Sequence, residues 1–320
     1  MKLNEITIEL TQQCPNYCVY CSSFSSPTKR TILSVEKIEE AVSDAVSLGA
    51  RTINLSGGEP FMHPDILRIV DFIHQHQVSC LIYSSGIVLE KDKPVNIPKK
   101  VLEGIKGKVE KLIVNIEAAD EATYNSIMGT NFGGFQLMQT TIRDAISIGL
   151  HVEAHVVPMK QNLQQLPQII ALCTKFGISR VSFLRLVVQG RVLANLQIVL
   201  SDEETLLAKY LISFGANKCQ SNIRLGIPFT DCSRKINCMT GTSKLDIRYD
   251  GKVYPCEAFK NDNIGNVITV QSDSIYNKSL KEIYHTSEYL IQVRLLLNDF
   301  QSIDTCETCM NQYFTRNGKY

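Results

Sequence analysis

Three cysteines fall within eight residues, in the run Cys14-Pro15-Asn16-Tyr17-Cys18-Val19-Tyr20-Cys21. Three thiolates can hold three irons of a [4Fe–4S] cube, which ordinarily takes four protein ligands, so one iron is left open. An open coordination position is what a catalytic metal site keeps and a structural one closes. On spacing alone the same residues also suit a zinc or structural iron site. A second segment, Ser56-Gly57-Gly58-Glu59-Pro60, offers glycines whose backbone a ligand can approach closely. Its Glu59 supplies a carboxylate able to accept hydrogen bonds from an ammonium group. Alone, such a run is an ordinary turn. Four more cysteines, Cys238, Cys256, Cys306 and Cys309, lie towards the C-terminus. Four thiolates satisfy four irons and leave none open, while a four-cysteine zinc site uses the same residue types.

The elements that must position these residues are legible as an alternation. Short β-rich segments at 6–10, 52–56, 80–84, 111–116, 151–157 and 180–186 each precede an amphipathic helical pattern, at 35–47, 65–76, 98–107, 135–148, 163–176 and 201–214. Ser34 and Ser201 stand as N-caps, the latter opening a capping box with Glu204, and Gly49, Gly149 and Gly177 stand where C-caps belong. Six β/α units in series imply a parallel sheet with right-handed crossovers, enough for most of a barrel but short of an eight-stranded one. After residue 214 the pattern changes to Cys-rich loops, a hairpin signalled by Tyr249-Asp250-Gly251-Lys252, and two short helices near 279–285 and 287–297. The expected division is residues 1–216 and 217–320.

Composition bounds the rest. The 320 residues are 44% hydrophobic and 20% charged, enough for a full core. Thirty-three basic against 32 acidic residues leave a net charge of +1, so nothing draws the chain onto nucleic acid or an anionic membrane. No apolar run approaches the roughly 20 residues of a membrane helix, and the polar start is unlike a signal peptide, which makes cytoplasmic the expected location. Eleven cysteines in such a chain point to metal rather than disulfides.

Together, CxxxCxxC after the first strand and Gly-Gly-Glu-Pro after the second resemble the radical SAM superfamily. The resemblance implies an α/β fold, a partial (β/α)6 TIM-like barrel with a small Cys-rich α+β extension. It implies a [4Fe–4S] cluster on Cys14, Cys18 and Cys21 whose open iron is chelated by S-adenosylmethionine, with Gly57, Gly58, Glu59 and Pro60 against the methionine amino group. Ser84 and Ser85 after strand three, and Glu117 after strand four, fall where ribose-contacting groups occur. Arg185 ends strand six, before Val187-Val188-Gln189-Gly190-Arg191, which is similar to a Pro-Gln-Gly-Arg stretch of several members. All lie at carboxyl ends of strands, where barrel active sites are built.

The C-terminal cysteines resemble the first half of the SPASM pattern, with the hairpin Ile247-Arg248-Tyr249-Asp250-Gly251-Lys252-Val253-Tyr254-Pro255-Cys256. Where that pattern continues with further cysteines, this chain has Thr315 and Lys319, so the extension looks like the shorter Twitch domain with one auxiliary [4Fe–4S] cluster on Cys238, Cys256, Cys306 and Cys309. The resemblance implies cleavage of S-adenosylmethionine to a 5′-deoxyadenosyl radical that takes a hydrogen atom from substrate. Modification of a ribosomally made precursor peptide, by oxidative crosslink or epimerisation, is the leading expectation. Only thirteen residues precede Cys14, which weakens it. Oxidation of a small molecule such as a sugar alcohol is the alternative, and a zinc-binding interaction module the reading of another class. Among the remaining cysteines, Cys80 and Cys173 sit in apolar patterns and read as core. Cys219 and Cys232 are candidate hydrogen-atom donors to a substrate radical, or spare thiols. The lysines between 91 and 111 read as a solvated face or a dock for an acidic flavodoxin or ferredoxin-type electron donor.

Overall fold

A computed structural model describes residues 2–226, 229, 238–260, 268–303 and 309–316. Its first half follows the expected alternation: β1 (Glu5–Glu9), α1 (Val35–Ser47), β2 (Thr52–Ser56), α2 (Ile66–Gln75) and β3 (Ser79–Ser84). A hairpin of β4 (Ile87–Glu90) and β5 (Lys93–Asn96) intervenes before α3 (Lys99–Ile105) and β6 (Lys111–Asn115). Then come α4 (Glu121–Met128), α5 (Gly134–Ser147), β7 (Val152–Val156), α6 (Leu166–Phe176), β8 (Val181–Phe183), α7 (Asp202–Cys219) and β9 (Ile223–Leu225). The C-terminal part supplies β10 (Lys244–Ile247), β11 (Val253–Tyr254), α8 (Leu280–Thr286), α9 (Glu288–Ser302) and α10 (Met310–Arg316).

Nine of these strands form one sheet in the order β11-β10-β1-β2-β3-β6-β7-β8-β9, parallel throughout except for the β10–β11 pair. This is the partial barrel expected, with three strands more than the six read from the sequence. The expected hairpin after residue 248 is the β10–β11 turn, and β10 lies parallel to β1, placing Thr7 beside Asp246 and Ile8 beside Ile247. The C-terminal segment thus extends the barrel's own sheet, and the expected boundary between 216 and 217 falls inside α7.

Local chemistry accounts for the helices. Ser34 Oγ accepts from the Lys37 amide, and Val35, Ile38, Ala41, Val42 and Ala45 put one buried stripe of α1 against the sheet. At α7 both halves of the capping box form between Ser201 and Glu204. Strand alternation sends Ile6 and Ile8 to the helix-covered face, where both are fully buried, each burial contributing about 2 kcal/mol. Thr7 and Glu9 go to the other face. No helix among the described residues is long and apolar enough to cross a membrane.

Candidate functional site

The opposite face of the sheet holds a cavity of about 340 Å³ at the carboxyl ends of the strands. Its wall includes Glu9 from β1, Ser56 from β2, Ser84 from β3 and Asn115 from β6, each the last residue of its strand, and Val157 directly after β7. Cys14, Cys18 and Cys21 all line it, as do Gly57, Gly58, Ser85 and Arg185. Of the residues read from the sequence for one cofactor, Cys14, Cys18, Cys21, Gly57, Gly58, Ser84, Ser85 and Arg185 therefore line one cavity, while Glu59, Pro60 and Glu117 do not.

That loop is held by backbone. Tyr17 and Val19 donate their amides to the carbonyls of Met128 and Ile127 at the end of α4, at 3.0 and 2.9 Å. Arg191, buried, donates through Nε to the Cys18 carbonyl and through Nη2 to the Ser25 carbonyl, both at 2.7 Å, and its guanidinium lies 4.1 Å from the Tyr17 ring centre. The Arg191 amide also reaches the Cys21 carbonyl at 3.0 Å. Just before it, Gly190 has φ +60°, and a Cβ there would sit 2.4 Å from the Cys21 carbonyl oxygen. Only glycine allows the Gln189-Gly190-Arg191 segment to close on the cysteine loop in this way.

Gly57 and Gly58 also meet the chain's own backbone closely. A Cβ on Gly58 would meet the Gln13 carbonyl oxygen at 2.1 Å, and the Gly58 and Glu59 amides donate to the carbonyls of Thr11 and Gln13 at 2.6 and 2.8 Å. The close approach these glycines permit is first of all that of the chain after β1, although both also line the cavity.

Glu59 is fully buried behind the cavity wall. Its Oε1 accepts from Ser84 Oγ at 2.8 Å and the Phe61 amide at 3.3 Å, and its Oε2 accepts from the amide and hydroxyl of Ser85 at 2.8 and 2.6 Å. Burial pushes its pKa up to about 7 against these donors. The carboxylate fixes the Ser84-Ser85 strand end, and Pro60, buried beside it, opens a single 3₁₀ turn. Glu117 is likewise fully buried, accepting from Tyr20 Oη at 2.8 Å and the Val157 amide at 2.8 Å, with its pKa pushed by burial to about 7. It braces Tyr20 of the cysteine loop. The sequence reading missed Tyr20 and Asn115, and it marked Gln189 and Arg191 only through the similarity of their segment to a family stretch, without their part in holding the cysteine loop.

Burial and mutual repulsion raise the thiol pKa values of Cys14 and Cys18, so iron binding here must displace protons. A zinc ion with four ligands would need sulfurs about 4 Å apart. The three thiols line one cavity. In the second group, Cys256 is pushed up to about 12 by burial, by Glu257 and then by Cys309 and Cys238, so these three sulfurs share one neighbourhood. Cys306 lies outside the described residues.

Arg185 lines the cavity, but its guanidinium donates to Cys309 Sγ and to Gln312 Oε1, giving it partners in the second cysteine group. A charged cluster closes the cavity on that side: Lys260 pairs with Glu9 and lies 3.8 Å from Asp246, while Lys244 bridges Glu5 at 3.0 Å and Glu257 at 2.9 Å. Burial opposes the charge on Lys260, yet Asp246 and Glu9 hold its pKa above the ordinary value. Cys80 and Cys173 are buried core residues, as expected. Cys219 ends α7, at the amino ends of the strands rather than their carboxyl ends, and it does not line the cavity. Cys232 lies outside the described residues.

A parallel partial barrel with three cysteines and a glycine turn at its carboxyl rim defines a class, and comparison bears it out. The Radical SAM superfamily model matches residues 8–173, and the iron-sulfur cluster-binding domain model, SPASM, matches residues 238–310. The chain belongs to the radical SAM superfamily of enzymes, whose cofactors are S-adenosylmethionine and a [4Fe–4S] cluster, and its C-terminal part is a domain that binds an auxiliary iron–sulfur cluster. Membership sets aside the zinc interaction module. It is 22% identical over 275 residues to a probable GTP 3′,8-cyclase of Methanococcus maripaludis, covering 83% of this chain and 89% of that one. It is 23% identical over 311 residues to the PqqA peptide cyclase of Ruegeria pomeroyi, covering 94% of this chain and 78% of that one. The fold is similar to that of Streptococcus suis SuiB bound to the precursor peptide SuiA, with TM-score 0.71, 15% identity, and coverage of 92% and 67%.

Proposed function

We propose that this enzyme oxidises a ribosomally made peptide. The observation that carries the reading is that one cavity is lined both by Cys14, Cys18 and Cys21 and by Arg185, Glu257 and Ala258, the last two directly following Cys256 in the chain. A substrate lying there is within reach of both cysteine groups. Bound S-adenosylmethionine and its cluster supply the hydrogen-abstracting radical, and an auxiliary cluster can take up the electron that the substrate then loses. Around them the chain's work is positional: Gly57 and Gly58 shape one wall, Glu59 fixes Ser84 and Ser85, and Arg191 holds the cysteine loop. The cavity is polar at Glu9, Ser23, Tyr83 and Asn115, groups able to hold a peptide's amides. The peptide class is supported by the likeness to the PqqA peptide cyclase and to SuiB, which binds the precursor peptide SuiA. A second reading, a small-molecule substrate, is favoured by the likeness to the probable GTP 3′,8-cyclase.

The test is anaerobic incubation with S-adenosylmethionine, a reductant and synthetic peptides encoded by short reading frames beside this gene. Peptide oxidation predicts loss of two mass units and no deuterium uptake at the reacting carbon in heavy water. A product of unchanged mass that gains one deuterium means epimerisation, with Cys232 the thiol to replace next. The triple variant Cys14→Ala, Cys18→Ala, Cys21→Ala is expected to make no 5′-deoxyadenosine and to keep about four of about eight irons, those of the auxiliary site.

A further inference from the structure

Arg185 sits two residues beyond β8, on the rim that carries the cavity, and its side chain leaves that wall to meet the start of α10. There it donates to Cys309 Sγ and Gln312 Oε1. Cys309 is buried, and the charges of Cys238, Cys256 and Cys309 act on one another. The amides of Met310 and Thr240 also point at the Cys238 sulfur. The described part of this cysteine group is therefore furnished with N–H donors, two of them neutral amides and one a full cation.

Thiolate-held clusters are anionic, and more so when reduced. A donor at a ligand sulfur stabilises the reduced form over the oxidised one and raises the reduction potential. A guanidinium, half-buried here, does this more strongly than a neutral amide, because it brings a full charge to the ligand sulfur. We propose that Arg185, acting through Cys309, sets the potential of the auxiliary cluster and so its capacity to accept an electron from a substrate in the cavity that Arg185 also lines. The inference rests on the reading that Cys238, Cys256, Cys306 and Cys309 hold that cluster.

The test uses the full chain carrying Cys14→Ala, Cys18→Ala and Cys21→Ala, so that only an auxiliary cluster contributes signal. Its midpoint potential is followed by electron paramagnetic resonance in a redox titration, with iron and sulfide counted in each sample. Arg185→Met is expected to lower the midpoint potential, and Arg185→Lys to lower it less, with about four irons retained in both. An unchanged potential in a fully loaded Arg185→Met protein overturns the proposal. So does loss of iron in Arg185→Met together with an unshifted potential in Arg185→Lys, since the arginine is then merely structural. Absence of iron from the triple variant while Arg185 is intact overturns the auxiliary-cluster reading itself, and the proposal with it.

Discussion

Arg191 ties three carbonyls of one loop, those of Cys18 and Ser25 by side chain and that of Cys21 by its amide, and Gly190 lets it come near enough to do so. Arg191→Met removes two buried charge-assisted hydrogen bonds and strands their carbonyls, a loss of about 3 kcal/mol. Gly190→Ala forces a Cβ against the Cys21 carbonyl. Both variants are expected to lose iron from the radical site while retaining that of the auxiliary site, so iron content should fall from about eight towards about four. Retention of all iron in Gly190→Ala would show that the loop accommodates the change. Neither residue could be given this role from the sequence. The similarity of Gln189-Gly190-Arg191 to a family stretch marked the segment, but the groups it binds are carbonyls, which carry no residue-type signal.

At the level of elements, what was legible followed periodicity and caps. The spans of α1 and β2 agree with expectation to the residue, because the buried stripe of α1 repeats at helical spacing and β2 is bounded by polar residues. The β4–β5 hairpin was missed: its turn places Lys91 and Asp92 at φ +49° and +61°, a conformation usually announced by glycine or asparagine. The short helix α4 was missed as well, although Asp120 caps it through the Thr123 amide. It buries only Tyr124, Ile127 and Met128, too few positions to fix a period. For α7 the capping box is a separable device, and Ser201→Ala is expected to cost about 1 kcal/mol. Urea denaturation should show the midpoint moving down with the slope unchanged.

Two carboxyls behind the cavity give the whole molecule a pH dependence. Burial raises Glu59 and Glu117 from 4.5 to about 7 each, so in that window the folded chain binds more protons than the unfolded one. Stability from this source is complete below about pH 4.5 and is lost as pH rises towards 7, by about 3 kcal/mol for each group. His155, held neutral by burial with its pKa pushed down to about 3, acts in the opposite sense as pH falls below its ordinary value. The measurement is therefore a difference: denaturation of the iron-free chain at pH 5 and pH 7.5, against the same for Glu59→Gln with Glu117→Gln. The double variant is expected to lose less stability on going to pH 7.5, and equal slopes would mean the two carboxyls are ionised throughout. One feature of the sheet reaches beyond equilibrium. Because β1 takes β10 as one of its two parallel neighbours, closing that edge of the sheet brings together segments more than two hundred residues apart in the chain, a pairing of the kind that slows folding.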